Sequence, residues 1–223
     1  MIALRALRYR HLAIDALEIP PGLTSVIGPN GSGKTTLLRL CTGIDLPESG
    51  SVLIGDRSPR DAEIGWVNEF PDRNILFEIV LDEVASPLRF RKVPCTETRE
   101  RVDRCLEICG IRHLRDRSIR ELSGGEKILV AVAAAIVHKP AVLILDECDS
   151  HLDASWTAAL GQLIQRSKIP YIIQCTQQME VAAQSDQVLY LDAGTVRFFG
   201  SPNDVFFRLS GTPFYPLSWR CRT

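Results

Sequence analysis

Short apolar strands that alternate with helical stretches predict an α/β protein built on a mostly parallel central sheet. Three observations carry that expectation. A β-rich run, Leu23 to Ile27, leads straight into a glycine-rich turn and then a helix, Lys34 to Thr42. Ala141 to Leu145 is a continuous apolar run of the kind a parallel sheet buries on both faces. Tyr171 to Cys175 reads as a second buried strand, with a helix candidate, Ala154 to Ser167, between the two.

The remaining elements follow from turn chemistry and spacing. Gly43 closes the first helix, since a helix commonly ends on a left-handed residue that glycine adopts freely. Ser51 to Ile54 and Ile64 to Val67 are further strands separated by turn residues. The middle, about Leu81 to Ile119, is richer in helical signals. Within it Val102, Leu106 and Cys109 share one helical face of Thr98 to Cys109, with Gly110 as the stop. Ser123 opens a long apolar helix through Val137, which Pro140 ends. Gln187 to Leu191 and Thr195 to Phe199 flank Asp192-Ala193-Gly194 as a hairpin. The sequence shows no internal repeat or linker, so residues 1–223 are expected to form one domain, with about 81–137 inserted as a helical subdomain.

Bulk properties narrow the function. A chain of 223 residues with 45% hydrophobic and 24% charged residues is ordinary for a globular protein. A net charge of -1 argues against a dedicated nucleic-acid binder but not against one anionic nucleotide. Seven cysteines without a CxxC pair suggest a reducing compartment rather than a disulfide framework. Cys105 and Cys109, four apart on a helix, read as small buried hydrophobes. No segment approaches the roughly 18 apolar residues of a membrane span, and the first ten residues do not resemble a secretory signal.

The chemistry is concentrated in two places. Gly28-Pro29-Asn30-Gly31-Ser32-Gly33-Lys34-Thr35 matches the Walker A pattern between a strand and a helix. Glycines let the backbone wrap a phosphate, and its N–H groups with the helix N-terminus meet the negative charge. Lys34 is placed for the β- and γ-phosphates and the Thr35 hydroxyl for Mg²⁺. Thr36, next along, completes the nucleotide-contacting stretch. Val142 to Glu147 supplies the second place: Asp146 ends a buried strand where it can hold the Mg²⁺ shell, and Glu147 can take a proton from attacking water.

Leu122-Ser123-Gly124-Gly125-Glu126-Lys127 resembles the signature motif of the ABC ATPases, and the order of motifs is similar to that family over about residues 1–208. The resemblance implies a P-loop NTPase fold with a mostly parallel central sheet. It also implies an antiparallel β region at the N-terminal side and a helical insertion between Q-loop and signature. It implies ATP and Mg²⁺ as cofactors and a second ABC ATPase subunit whose ATP is capped by Ser123, Gly124 and Gly125. Tyr9, just after the first strand, falls where the family stacks an aromatic on adenine, although an ordinary strand tyrosine explains it nearly as well. Ser150-His151-Leu152-Asp153 resembles the D-loop, which makes Asp153 a cross-dimer candidate. The flanking stretches Pro71 to Phe77, Leu81 to Ala85 and Gly200 to Phe206 are similar to ATPase subunits of energy-coupling-factor and cobalt-type uptake systems.

Three positions depart from the family pattern. Glu69 stands where the Q-loop has glutamine; it can approach Mg²⁺ or accept from water but cannot donate. Gln177 stands at the switch histidine, where it can donate to a γ-phosphate but cannot carry a proton. Cys148 stands where proline follows the catalytic glutamate, which is expected to loosen the turn. Glu147, Gln177 and Glu69 are therefore the catalytic candidates, with slowed hydrolysis expected.

The leading functional expectation is the ATP-hydrolysing motor of an importer. It would sit peripherally on the cytoplasmic face of the membrane, coupled to an integral-membrane transporter subunit through a groove near Glu69. A slow ATP-dependent switch in an asymmetric dimer and a soluble, non-transport ABC ATPase stay open, as does the choice of homodimer or heterodimer. The basic run Arg89-Phe90-Arg91-Lys92 reads as a solvated helix end. The aromatic tail with Phe214, Tyr215 and Trp219 could pack on the chain itself or on a partner.

Overall fold

The computed structural model describes residues 1–70, 75–150 and 152–220. In chain order the elements are strands β1 (Ile2–Tyr9), β2 (Leu12–Ile19) and β3 (Gly22–Ile27), helix α1 (Lys34–Thr42), and strands β4 (Ser49–Ile54) and β5 (Ile64–Val67). Three helices come next, α2 (Val80–Phe90), α3 (Cys95–Ile108) and α4 (Gly124–Ile136). Strand β6 (Val142–Asp146), helix α5 (Ala154–Ser167), strand β7 (Tyr171–Cys175) and helix α6 (Met179–Ala182) alternate after them. Strands β8 (Gln187–Asp192) and β9 (Thr195–Gly200) and helices α7 (Pro202–Arg208) and α8 (Leu217–Arg220) complete the described chain.

The strands form two sheets. The larger has the order β5-β6-β7-β3-β8-β9, parallel except for β9, which pairs antiparallel with β8. The smaller is antiparallel, with the order β2-β1-β4. Residues of β6 show why its run is apolar up to Asp146: Val142 and Ile144 enter one core, Leu143 and Leu145 the other. A strand between two cores favours apolar residues on both faces until it reaches the end of the sheet. One core lies under α2 to α5, and the other holds α1 between the two sheets. A third, smaller cluster gathers around Phe206.

Most sequence expectations for the elements match these bounds to within a residue or two, and three differ. Tyr9 is the last residue of β1 rather than a residue after it. Helix α3 starts at Cys95, not Thr98, because Pro94 presets the entry and leaves no amide to satisfy. Cys148 does not loosen its turn: the thiol is buried and donates to Val67 O at 3.4 Å and Asn68 O at 3.6 Å, tying the turn to β5. The tail packs on its own chain, with Trp219 edge-on to Phe206 at 5.5 Å and Phe214 against Tyr190 at 5.4 Å. Cys105 and Cys109 are buried as expected. Pro71 to Asn74 and His151 lie outside the described residues.

Candidate nucleotide site

The candidate site is built at the C-terminal end of the parallel strands. Strand β3 ends at Ile27 and the chain turns at once through Gly28, whose φ of 146° is closed to other residues. A side chain there would also drive a Cβ to 2.0 Å from Leu191 O. The β8–β9 turn braces this loop, since Gly194 N donates to Ser32 O at 3.1 Å and Gly194 O accepts from Ala13 N at 2.8 Å. One turn thus holds the loop and the β1–β2 connection in register.

Lys34 opens α1 and is buried, with its ammonium folded onto the loop: Nζ donates to Gly28 O at 3.0 Å and Pro29 O at 3.2 Å. The same nitrogen lies 3.8 Å from Glu147 Oε1. Thr35, the next residue, donates its hydroxyl to Asp146 Oδ1 at 3.2 Å. Thr36 stands one position further along α1. Asp146 ends β6 and is buried, so its carboxyl is pushed up to about 6, first by burial and then by the nearby charges of Glu147 and Glu69.

Glu147 follows in a left-handed conformation, φ 49°, fixed by its amide donating to Cys175 O at 3.0 Å. Its carboxylate is held on both oxygens. Oε2 accepts from Gln177 Nε2 at 2.8 Å, and Oε1 accepts from the Cys175 thiol at 3.6 Å. Gln177 also reaches Asn30 Oδ1 at 3.5 Å, so the loop, the end of β6 and the turn after β7 meet at one amide. Behind them the buried Asp149 carboxylate accepts from the Thr176 hydroxyl, and Asp149 O accepts from Gln178 Nε2 at 2.8 Å.

Other expected site residues lie further out. Tyr9 is half-buried, and the Arg10 guanidinium stands over its ring at 5.2 Å. Glu69 is half-buried after β5, near enough to raise Asp146. Ser123 is the N-cap of α4 in a reciprocal capping box with Glu126. Gly124 faces open space, whereas a Cβ on Gly125 would meet the Trp156 ring at 2.2 Å. Two glycines that read alike in sequence thus meet different demands: Gly125 is small because α5 packs on it. Asp153 caps α5, its Oδ1 accepting from Ser155 N at 2.9 Å and Trp156 N at 3.0 Å. The Ser155 hydroxyl, first, and those amides hold Asp153 below the usual carboxylate range.

The oxygen-rich end of β6 suits a hard divalent cation. Thr35 and Asp146 offer oxygen only, and Asp146 is under-neutralised, which a 2+ ion corrects. Among the described residues no three His, Cys, Asp or Glu side chains gather into a metal cage. Mg²⁺ bound to nucleotide needs none, because phosphates and water supply most of its ligands.

Sequence reasoning did not find Cys175, Asp149 or Trp156. A cysteine inside an apolar strand carries no signal of a polar contact, and the other two meet their partners only across the fold.

A phosphate-wrapping loop, a buried lysine and a carboxylate pair at the strand ends together define an ATP-binding P-loop ATPase. The chain belongs to the ABC transporter family, whose model matches residues 15–150. It is 34% identical over 212 residues to the trehalose/maltose import ATP-binding protein MalK of Thermococcus litoralis, covering 88% of this chain and 57% of MalK. It therefore spans little more than half the length of that relative. It is 36% identical over 194 residues to the energy-coupling factor transporter ATP-binding protein EcfA1 of Streptococcus pyogenes, covering 82% of this chain and 70% of EcfA1. The solved structure of cbiO1 from Clostridium perfringens, part of the ABC transporter complex cbiONQ, superposes with a TM-score of 0.84 at 30% identity. That match covers 92% of this chain and 90% of cbiO1.

Proposed function

We propose that residues 1–223 act as a single ABC ATPase domain, with a helical subdomain at about 81–137, and drive an energy-coupling-factor-like importer. One observation carries the reading: Lys34, Gln177 and Cys175 converge on the carboxylate of Glu147, beside the Thr35–Asp146 pair. In this reading Gly28 to Thr36 wrap the phosphates, and the Lys34 ammonium exchanges the carbonyls of Gly28 and Pro29 for phosphate oxygens. Tyr9 meets the base. Thr35 and Asp146, with Glu69 nearby, hold Mg²⁺, which when bound neutralises charge on the terminal phosphates. Glu147 accepts a proton from the attacking water at a carboxylate oxygen, and the Gln177 amide orients that carboxylate.

The same reading assigns Ser123, Gly124 and Asp153 to the interface with a second ATPase subunit. The open space over Gly124 and the helix N-terminus behind it favour an anion there. The reading adds an integral-membrane partner and a place on the cytoplasmic face, supported by the likeness to EcfA1 and to cbiO1, part of a transporter complex, and an importer direction, supported by the likeness to the import protein MalK. No helix among the described residues is long and apolar enough to cross a membrane. Hydrolysis is slow in this reading, because Gln177 cannot carry the positive charge of a histidine.

Steady-state ATP hydrolysis tests this. Glu147→Gln is expected to lower turnover by about 10²–10⁴-fold while ATP still binds. Gln177→His is expected to raise turnover by up to about 10²-fold. Equal turnover in all three chains would overturn the assignment of Glu147.

A further inference from the structure

The parallel sheet has a second end. Opposite the candidate nucleotide site, where β5 and β6 begin, the surface opens into a cleft of about 730 Å³. It is walled by α3 and the C-terminal ends of α4 and α5. Ile54, Ile108, Ile136, Val137, Ala141 and Ile169 give it an apolar lining. Around this run Arg57, Arg104, Lys139 and Lys168, all exposed. Among the described residues none of these four has a carboxylate within ion-pair distance. The carboxylate that lines the cleft, Glu63, is already taken by Arg91 at 2.6 Å. Arg101, a fifth cation on the lining, is held by Glu97 at 2.5 Å.

Part of that charge has a local explanation. Lys139 and Lys168 follow α4 and α5, whose C-terminal carbonyls carry partial negative charge that a lysine offsets. Both nevertheless stand at positive φ, 57° and 53°, where glycine or asparagine would avoid about 1 kcal/mol of strain. Arg57 lies just after β4 and Arg104 within α3, so no helix end accounts for either. The rim therefore carries more positive charge than the fold needs.

We infer that this cleft binds a small amphiphilic anion, with an apolar body such as an acyl chain on the floor and one anionic head on the rim. Its volume lies within the ~300–1,000 Å³ usual for small-molecule sites. The apolar lining disfavours inorganic phosphate, which needs donors on every side. The site is separate from the nucleotide site, and α4 and α5 link it to the proposed subunit interface: they are capped by Ser123 and Asp153 and end at the cleft. An occupant would press on the far ends of the two helices assigned to the subunit interface.

Titrating the full chain with anilinonaphthalene sulfonate and following its fluorescence reads the site directly. One saturable phase is expected, displaced by palmitate and not by ATP with Mg²⁺. Reversing two exposed rim charges, Arg104→Glu with Lys168→Glu, is expected to weaken binding about tenfold or more. Ile108→Trp, which fills the floor, is expected to abolish it. Trinitrophenyl-ATP binding, unchanged in each variant, shows that the chain is folded and keeps this result separate from the fate of the ATPase reading. Should Ile108→Trp fail that control, the charge reversal decides alone. Displacement by ATP, no saturable phase, or unchanged affinity after charge reversal would overturn the inference.

Discussion

Glu147 sits at φ 49°, in a backbone region that costs a residue with a Cβ about 1 kcal/mol. What holds it there is the amide bond to Cys175 O and the grip of Gln177 and Cys175 on the two carboxylate oxygens. Its neighbour Asp146 is also held at a cost. Burial pushes its carboxyl from the ordinary 3.8 up to about 6, so between those values the folded chain holds the proton and the unfolded chain does not. Its effect on stability is therefore favourable at low pH and declines as pH rises through about 6. Asp146→Asn has no such dependence. In chelator, its melting temperature relative to the unaltered chain is expected to climb as pH rises from about 4 to above 6. A constant difference across that range would mean that burial does not perturb Asp146 in solution.

At the scale of elements, the start of α4 is fixed twice. The Ser123 hydroxyl accepts from Glu126 N at 3.3 Å, and Glu126 Oε2 accepts from Ser123 N at 2.8 Å. Ser123→Ala is expected to cost about 1 kcal/mol in chemical denaturation. The Ser123 amide, first, and its hydroxyl hold Glu126 below its ordinary 4.5. Its contribution is therefore present above about 4.5 and lost as pH falls through the lowered value. The stability gap between the unaltered chain and Glu126→Gln should shrink in that acid range; a gap that stays constant would remove Glu126 from the cap. The second constraint is packing. Gly125→Ala sets a methyl against the Trp156 ring and is expected to cost about 1–3 kcal/mol. Adding Trp156→Ala should return most of that loss. If the two losses simply add, α5 does not rest on Gly125 in solution.

Over the whole molecule, two features depend on parts of the chain far apart. The β8–β9 turn holds the phosphate loop from more than 150 residues away, as Gly194 bonds to Ser32 and Ala13. The tail covers the cluster around Phe206, with Tyr215 edge-on to Trp219 at 6.3 Å. Trp219 is half-buried, so Trp219→Ala is expected to lower stability by about 1–2 kcal/mol, read by calorimetry. An unchanged melting temperature would show that the tail is not docked.

The sequence by itself determined what depends on local chemistry. A strand, three loop glycines and a lysine place the phosphate loop. The Ser123–Glu126 spacing announces a helix start, and the unbroken apolar run Ala141 to Leu145 identifies β6 as buried on both faces. Only the tertiary structure decided what depends on which strands become neighbours. Pairing β6 with β7 sets Asp146 opposite Cys175, and that register turns a strand cysteine into a partner of Glu147. Packing α5 on α4 gives Gly125 its reason, and joining α3, α4 and α5 around the start of β6 makes a basic-rimmed cleft from residues scattered between Ile54 and Pro170. Local motifs are legible because a few adjacent residues do the work. Contacts across the fold are not, because either partner alone looks like ordinary core or surface.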